Sequence, residues 1–323
     1  MRLQRMQSLR CTLNQLNKEY GGNAMRLACI GIGSNAIRLL IGEWMGGRLC
    51  VIRRERRGTR LFAGLVDGAL TEQSIQSSVE AVAELAELAR IGGAQEIFVF
   101  ATSAVRDASN GDDFTRRAAE ASGTHIEIIS GEQEAVLSYI GASGGGRCGM
   151  IDIGGGSTEF TVGENESILG AVSLQMGAVR MNAQTPISSR EEYEASVERC
   201  MNMIRRDAHA LLACRKPEYW VGVGGTMTTI GAMHKGVALF DPDLCEGMIV
   251  TQAEVCAWGR KIARLPIADR RQIVGLMPHR ADIIPSGIAI LEAAMRVFGM
   301  KGLALSAHGN MDGFLKKKFK EMY

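Results

Sequence analysis

Proline and aromatic residues are scarce in this chain: 6 of its 323 residues are Pro, and Phe, Trp and Tyr together make up 5%. That composition excludes collagen-like and Pro-rich extended architectures. No window of about 18 apolar residues occurs, and residues 1–24 contain no apolar signal-peptide core. Neither membrane spanning nor export is therefore expected, and a cytoplasmic location follows. The eight cysteines (Cys11, Cys29, Cys50, Cys148, Cys200, Cys214, Cys245 and Cys256) form no C-x-x-C pair, and the five histidines are dispersed. A zinc site or thioredoxin-like chemistry is disfavoured accordingly. Charge of one sign is lacking too. Lys plus Arg number 37 and Asp plus Glu 35, a net charge of +2, so bulk charge points to no nucleic acid and no membrane as partner.

What is present is a globular composition, 46% hydrophobic and 22% charged, long enough for about two domains. From Met25 the chain reads LACIGIG, AIRLLIGEW and LCVIRRERR, three short apolar runs separated by Gly-containing turns, which predicts a meander of strands. Thr71 then opens a helical stretch in which Ile75, Val79, Val82, Leu85 and Leu88 recur at steps of three and four, ending at Gly92. EIFVFA (96–101), a helical stretch near 111–121, HIEII (125–129) and a helix from near Glu132 follow, an alternation that predicts parallel strands with helical crossovers.

Around Gly144 to Arg147 the pattern breaks and then restarts as MIDIGGG, STEFTVGEN and SILGAVSL, with helical stretches near 190–213 and 253–263. At a constant offset of 121 residues, IGIGSNAIRLLIGE (30–43) lies over IDIGGGSTEFTVGE (151–164) without a gap. Identities fall at Ile30/Ile151, Ile32/Ile153, Gly33/Gly154, Gly42/Gly163 and Glu43/Glu164. Two related α/β halves facing one another across a cleft are expected, with residues 1–24 as an extension, 25–145 as the first domain and 146–323 as the second.

Each half carries a strand, a Gly-rich turn and a second strand: Gly33, Ser34 and Asn35 in the first turn, Gly154, Gly155, Gly156 and Ser157 in the second. Such turns let backbone N–H groups approach an anion closely, and a facing pair of them reads as a phosphate clamp. For one loop alone, a tight hairpin without a ligand is an equal alternative. A third loop, Val223 to Thr226 with Gly224 and Gly225, precedes an apolar helical stretch and would add helix N-terminal donors, or serve as a structural turn only. Asp152 ends a buried-looking strand, where a carboxylate is costly unless it meets a cation or hydrogen-bond donors.

Seven blocks in order are IGSNAIRLLI (32–41), ATSAVRDASN (101–110), EIISGEQEA (127–135), IDIGGGSTEF (151–160), SLQMGAVRM (173–181), VGVGGTMTT (221–229) and ADIIPSGIAIL (281–291). Through them the chain resembles the exopolyphosphatase/guanosine pentaphosphate phosphohydrolase family, Ppx/GppA, in its short two-domain form. The resemblance implies two ribonuclease H-like domains of the actin-like ATPase superfamily. It implies removal of terminal phosphate from inorganic polyphosphate or guanosine pentaphosphate with a divalent cation, usually Mg²⁺, and a homodimer. It makes Glu134 the water-activating carboxylate and Arg106 a phosphate-binding residue, with Asp152 and Glu159 on the cation. Phosphate contacts fall to Gly33, Ser34, Asn35, Arg38, Gly154, Gly155, Gly156, Ser157, Gly224, Gly225 and Thr226. On residue type alone, Glu134 reads rather as an exposed helical carboxylate, and Arg106 as a partner of Asp107 or Asp113.

Two departures from the family pattern stand out. The first loop has Gly31 where the family usually has Asp, and its repeat partner is Asp152. Near the C-terminus the family's Gly-Leu-Arg-Glu-Gly is Gly309-Asn310-Met311-Asp312-Gly313, with Met311 in place of Arg. Loss of the carboxylate at 31 is expected to weaken a cation site, which leaves a catalytically weak polyphosphate-binding or nucleotide-binding sensor as the alternative to an active hydrolase. An ATP-using kinase of the same superfamily ranks third. The basic runs Arg53 to Arg57 and Lys316 to Lys320 are candidates for steering a polyanion.

Overall fold

The protein is described here from a computed structural model, covering residues 25–238 and 241–322. The extension expected over residues 1–24 lies outside the described residues. Two sheets organise the chain. The first has the order β3-β2-β1-β4-β5, built from β1 (Arg26–Ile32), β2 (Ile37–Met45), β3 (Arg48–Arg57), β4 (Glu96–Ala101) and β5 (Ile126–Ile128). The second has the order β8-β7-β6-β9-β11-β10, built from β6 (Arg147–Ile153), β7 (Thr158–Glu164), β8 (Ser167–Leu174), β9 (Tyr219–Val223), β10 (Ile249–Thr251) and β11 (Gly302–Leu305).

The internal repeat is carried at the level of register. In the first half β1 pairs antiparallel with β2 and parallel with β4, and Gly31 faces Arg38. In the second, β6 pairs antiparallel with β7 and parallel with β9, and Asp152 faces Glu159. The turns match as well: the Gly33 N–H donates to the Ala36 carbonyl at 3.2 Å and the Gly154 N–H to the Ser157 carbonyl at 3.0 Å.

Helix α1 (Glu72–Ile91) is capped by the Thr71 hydroxyl, which accepts from the Ser74 N–H, and buries Ile75, Val79, Val82 and Leu85 against the first sheet. Helices α2 (Gly111–Ser122) and α3 (Gly131–Ala142) follow their strands, the latter opened by a Ser130/Gln133 capping box. The second core is larger. Helices α4 (Arg190–Asp207), α5 (Gly225–Lys235), α6 (Gln252–Ala263) and α7 (Ile284–Phe298) close over the second sheet, α7 being buried along almost its whole length.

The last helix, α8 (Asn310–Met322), packs back on the first sheet. Met311, Phe314, Leu315 and Phe319 join Leu27, Cys29, Leu40 and Phe100 in one apolar cluster. α8 crosses α3 at very short range, because Gly313 and Gly141 have no side chain at the crossing. A Cβ at either would collide with the backbone of the other helix or of its lead-in. The start of α8 is thereby seated against the second half of α3, and from there the Asn310 side chain reaches back to Glu134.

Candidate active site

A cleft of about 490 Å³ lies between the two Gly-rich turns. The turns touch: a Cβ at Gly155 would sit 2.8 Å from the Ser34 Cβ and 3.2 Å from the Val179 side chain. The Ser34 and Ser103 hydroxyls are buried and 2.9 Å apart. The carbonyl oxygens of the second turn are occupied elsewhere. Gly154 accepts from the Ala178 N–H at 3.0 Å, Gly155 from the Val179 N–H at 2.8 Å, and Gly156 from Arg180 Nε at 2.6 Å. Acceptors that would repel an anion are engaged away from the bound position, which suits a phosphate cradle.

Gly33, Ser34, Asn35, Arg38, Gly154, Gly155, Ser157, Gly224, Gly225, Glu134 and Asp152 all line the cleft. Arg106, Gly156, Thr226 and Glu159 do not. Arg106 lies beside Glu134, with Nη1 3.8 Å from Glu134 Oε2 while donating to the Ile129 carbonyl at 2.9 Å. Gly156 is packed against Ser103, Ser34 and Phe62, and Thr226 is buried against Gly287 with its hydroxyl unpartnered. Glu159 Oε1 accepts from the Ser173 hydroxyl at 2.7 Å.

Three buried carboxylates, Glu134, Asp152 and Glu159, all have their proton affinity raised, burial being the largest cause in each. Burial and then the neighbouring Asp152 charge push Glu134 up to about 7, with Arg106, Arg38 and the Asn310 amide opposing. Asp152 is raised by burial, and the Ser138 hydroxyl at 2.6 Å from Oδ2 works against that. Glu159 is raised by burial and by Glu134 and Asp152. Oε2 of Glu134 is buried without a hydrogen-bond partner, as are both amide atoms of Asn35.

This donor set fits a hard divalent cation. Asp152 presents Oδ1 beside Gly224, whose Cβ would lie 2.6 Å away. Among the described residues, no three His, Cys, Asp or Glu side chains converge on one point. Mg²⁺ is commonly held in that way, by one or two carboxylates, with water and substrate phosphates filling the octahedron. Asp152 is the candidate direct ligand, with Glu134 near enough to feel its charge and one helical turn from the Ser138 that Asp152 accepts from.

Opposite charge comes from Arg38, Arg54 and Arg56, and from one residue that motif reading did not single out, Arg280. Arg280 is half-buried, its buried Nε lacks a hydrogen-bond partner, and burial together with Arg56 and Arg38 lowers it to about 10. Its guanidinium lies over Gly225 at the start of α5, in the space a Cβ there would need. Two positive features, a half-buried guanidinium and a helix N-terminus, thus share one point, an arrangement an anion stabilises. Of the two basic runs, Arg54 and Arg56 line the cleft. The C-terminal lysines are engaged elsewhere: Lys316 donates to the Gly141 carbonyl at 2.8 Å and Lys318 pairs with Glu321 at 2.9 Å. Arg54 is held by Asp312 at 2.6 Å, and Asp312 also accepts from His308 Nδ1 at 2.9 Å. Those partners hold the Asp312 carboxyl down at about 2 against the effect of burial. The signal for Arg280 was its place immediately before the ADIIPSGIAIL block; Asn310 gave none, because its partner lies 176 residues away.

The two departures from the family pattern occupy one place. A Cβ at Gly31 would lie 3.2 Å from Met311 Sδ and 3.5 Å from the Phe100 ring. Met311 therefore fills the position into which a side chain at residue 31 would project.

Comparison with known proteins agrees with this geometry. The Ppx/GppA phosphatase family profile matches residues 40–321. Exopolyphosphatase 2 of Mycobacterium tuberculosis is 30% identical over 310 residues, covering 89% of this chain and 97% of that protein. The guanosine-5'-triphosphate,3'-diphosphate pyrophosphatase of Vibrio vulnificus is 28% identical over 93% of this chain and 61% of its own length. The crystal structure of the Aquifex aeolicus member of the Ppx/GppA family superposes with a TM-score of 0.80 at 26% identity, covering 93% of this chain and 99% of that one.

Proposed function

The chain belongs to the Ppx/GppA phosphatase family, and from that premise we propose that it releases terminal phosphate from inorganic polyphosphate or guanosine pentaphosphate. It is a phosphohydrolase with the actin-like ATPase fold of that family. The observation that carries the reading is Glu134: a buried carboxylate with one free oxygen, raised to about 7, on the wall of a cleft whose other walls are Gly-rich turns and arginines. A base poised near neutral pH suits proton abstraction from water.

In this mechanism the phosphate chain lies along the turns at 33–35 and 154–157, with Arg38, Arg56 and Arg280 offsetting its charge. Glu134 accepts the proton of a water as that water's oxygen bonds to the terminal phosphorus, and the bridging P–O bond breaks toward the remaining chain. Arg106, expected to bind phosphate, stands beside Glu134 and counters the tendency of burial to protonate it. A divalent cation bound at Asp152, Mg²⁺ in the first instance, would supply charge neutralisation for the phosphate oxygens. Catalysis rests on placing these groups, because phosphoryl transfer asks little covalent chemistry of the protein.

The alternative, a sensor that binds phosphate chains with little turnover, is favoured by the missing carboxylate at Gly31. The two are separated by Glu134→Gln. In an active enzyme this change lowers phosphate release by about a thousandfold with polyphosphate affinity kept. Turnover left unchanged removes Glu134 from the mechanism.

A further inference from the structure

Glu134 needs a defined orientation, and the protein supplies it from an unexpected place. Among the described residues one hydrogen bond reaches this carboxylate, from Asn310 Nδ2 to Oε1 at 3.3 Å. A carboxylate in its basic form only accepts, so the amide presents its NH₂ there. Arg106 stays beyond hydrogen-bond range at 3.8 Å, and Oε2 has no partner. The Leu that the family pattern places at 310 could make no such bond.

The segment that carries Asn310 is fixed on both sides. Ahead of it, Glu246 accepts from the Ser306 hydroxyl and the Ala307 N–H, both at 2.7 Å, and Asp312 accepts from the Gly309 N–H at 3.1 Å. Behind it, Met311 is buried and seated over Gly31, where the missing Cβ leaves room for the thioether. The close crossing at Gly141 and Gly313 seats the start of α8 against the second half of α3, within reach of Glu134 for the Asn310 side chain.

We propose that Asn310 is a positioning residue for Glu134: it holds Oε1 and leaves Oε2 to the water, while Met311, seated in the notch of Gly31, keeps Asn310 in reach. Gly31 then has a structural role of its own, as the surface on which the first turn of α8 rests. The proposal builds on Glu134 as the water-activating carboxylate.

The test is steady-state phosphate release from polyphosphate with Mg²⁺ by Asn310→Leu and Asn310→Ala, alongside Glu134→Gln. Both Asn310 variants should lower kcat by about tenfold with KM unchanged within about twofold, because substrate contacts stay intact. Asn310→Ala only removes atoms, and it decides the matter if the bulkier Leu prevents folding. Gly31→Ala, whose methyl group presses on Met311, should lower kcat in the same direction by a smaller factor, again without moving KM. If Glu134→Gln abolishes turnover while both Asn310 variants keep the wild-type kcat, the positioning role is wrong and the base assignment stands. A raised KM at unchanged kcat would also overturn it, making Asn310 a substrate contact. If Glu134→Gln itself keeps full turnover, the underlying reading has failed, a result distinct from either of these.

Discussion

The two Gly-rich turns share a backbone and differ in charge. In the first, the cross-strand pair is Gly31 and Arg38, followed round the turn by Asn35; in the second, the equivalent pair is Asp152 and Glu159. The strand register and the closing hydrogen bond of each turn are the same. One copy therefore supplies a cation and an amide, and the other supplies carboxylates. On the proposed reading, divergence at these paired positions sets the polarity of the cleft, with Arg38 from one copy and Asp152 from the other on its lining. A clamp for a phosphate chain with a divalent counter-ion needs both.

Breaking the contact between the turns should have the largest effect. Gly155→Val puts a branched side chain where even a Cβ lies 2.8 Å from Ser34. We expect polyphosphate binding to be lost together with about 1–3 kcal/mol of stability, seen as a lower Tm and as failure to retain labelled polyphosphate. The turn is packed against its counterpart, so binding and folding report on the same contact.

Removing charge from the cationic side comes next. Arg280→Met deletes a half-buried guanidinium that no carboxylate holds within hydrogen-bond range among the described residues, and should weaken polyphosphate binding by about tenfold or more by titration, with the unliganded protein as stable as before or more so. A protein that loses stability and keeps its affinity would assign Arg280 to the fold alone.

Making the first turn resemble the second is a subtler test. Gly31→Asp drives a carboxylate into Met311 and should lose about 1–3 kcal/mol; Met311→Arg buries an unpaired guanidinium and should lose a similar amount. Together they can form an ion pair, so the double variant should recover about 1 kcal/mol or more relative to the sum of the single changes. Additive losses measured by denaturant unfolding would mean that residues 31 and 311 do not share one space.

The smallest effect concerns pH. The folded state holds a proton on Glu134 up to about 7, whereas the unfolded chain releases it near the ordinary value of 4.5. Between those values the native state binds more protons, so this group's contribution to stability falls as pH rises through the window. Glu134→Gln should raise Tm at about pH 8 and leave it unchanged at about pH 4. In the same window turnover should rise as the carboxylate ionises.

Much of this was legible from the residues. The β1–β2 and β6–β7 turns were readable because a strand, a glycine cluster and a second strand each leave a local mark, and their repetition doubled the signal. The α1 stripe followed from helical spacing. Motif blocks pointed to Glu134 and Asp152, which line the cleft, and to Arg106 beside Glu134, while Glu159, Gly156 and Thr226 are packed into the interior. What stayed hidden was long-range. Asn310 meets Glu134, Met311 meets Gly31 and Arg280 meets Gly225 only because α8 folds back on the first sheet and because the loop before α7 crosses the start of α5. No local pattern encodes such meetings. For the same reason Gly31 and Met311 read as two separate defects, when in space they are a single substitution of one packed pair.

The most direct measurement is phosphate release by the purified chain from long-chain polyphosphate, guanosine pentaphosphate and ATP, each with Mg²⁺ or with EDTA. The account predicts release from polyphosphate or guanosine pentaphosphate that depends on the cation and disappears with EDTA. Binding of those ligands with no release under any of these conditions would contradict it and make the chain a phosphate-ligand sensor.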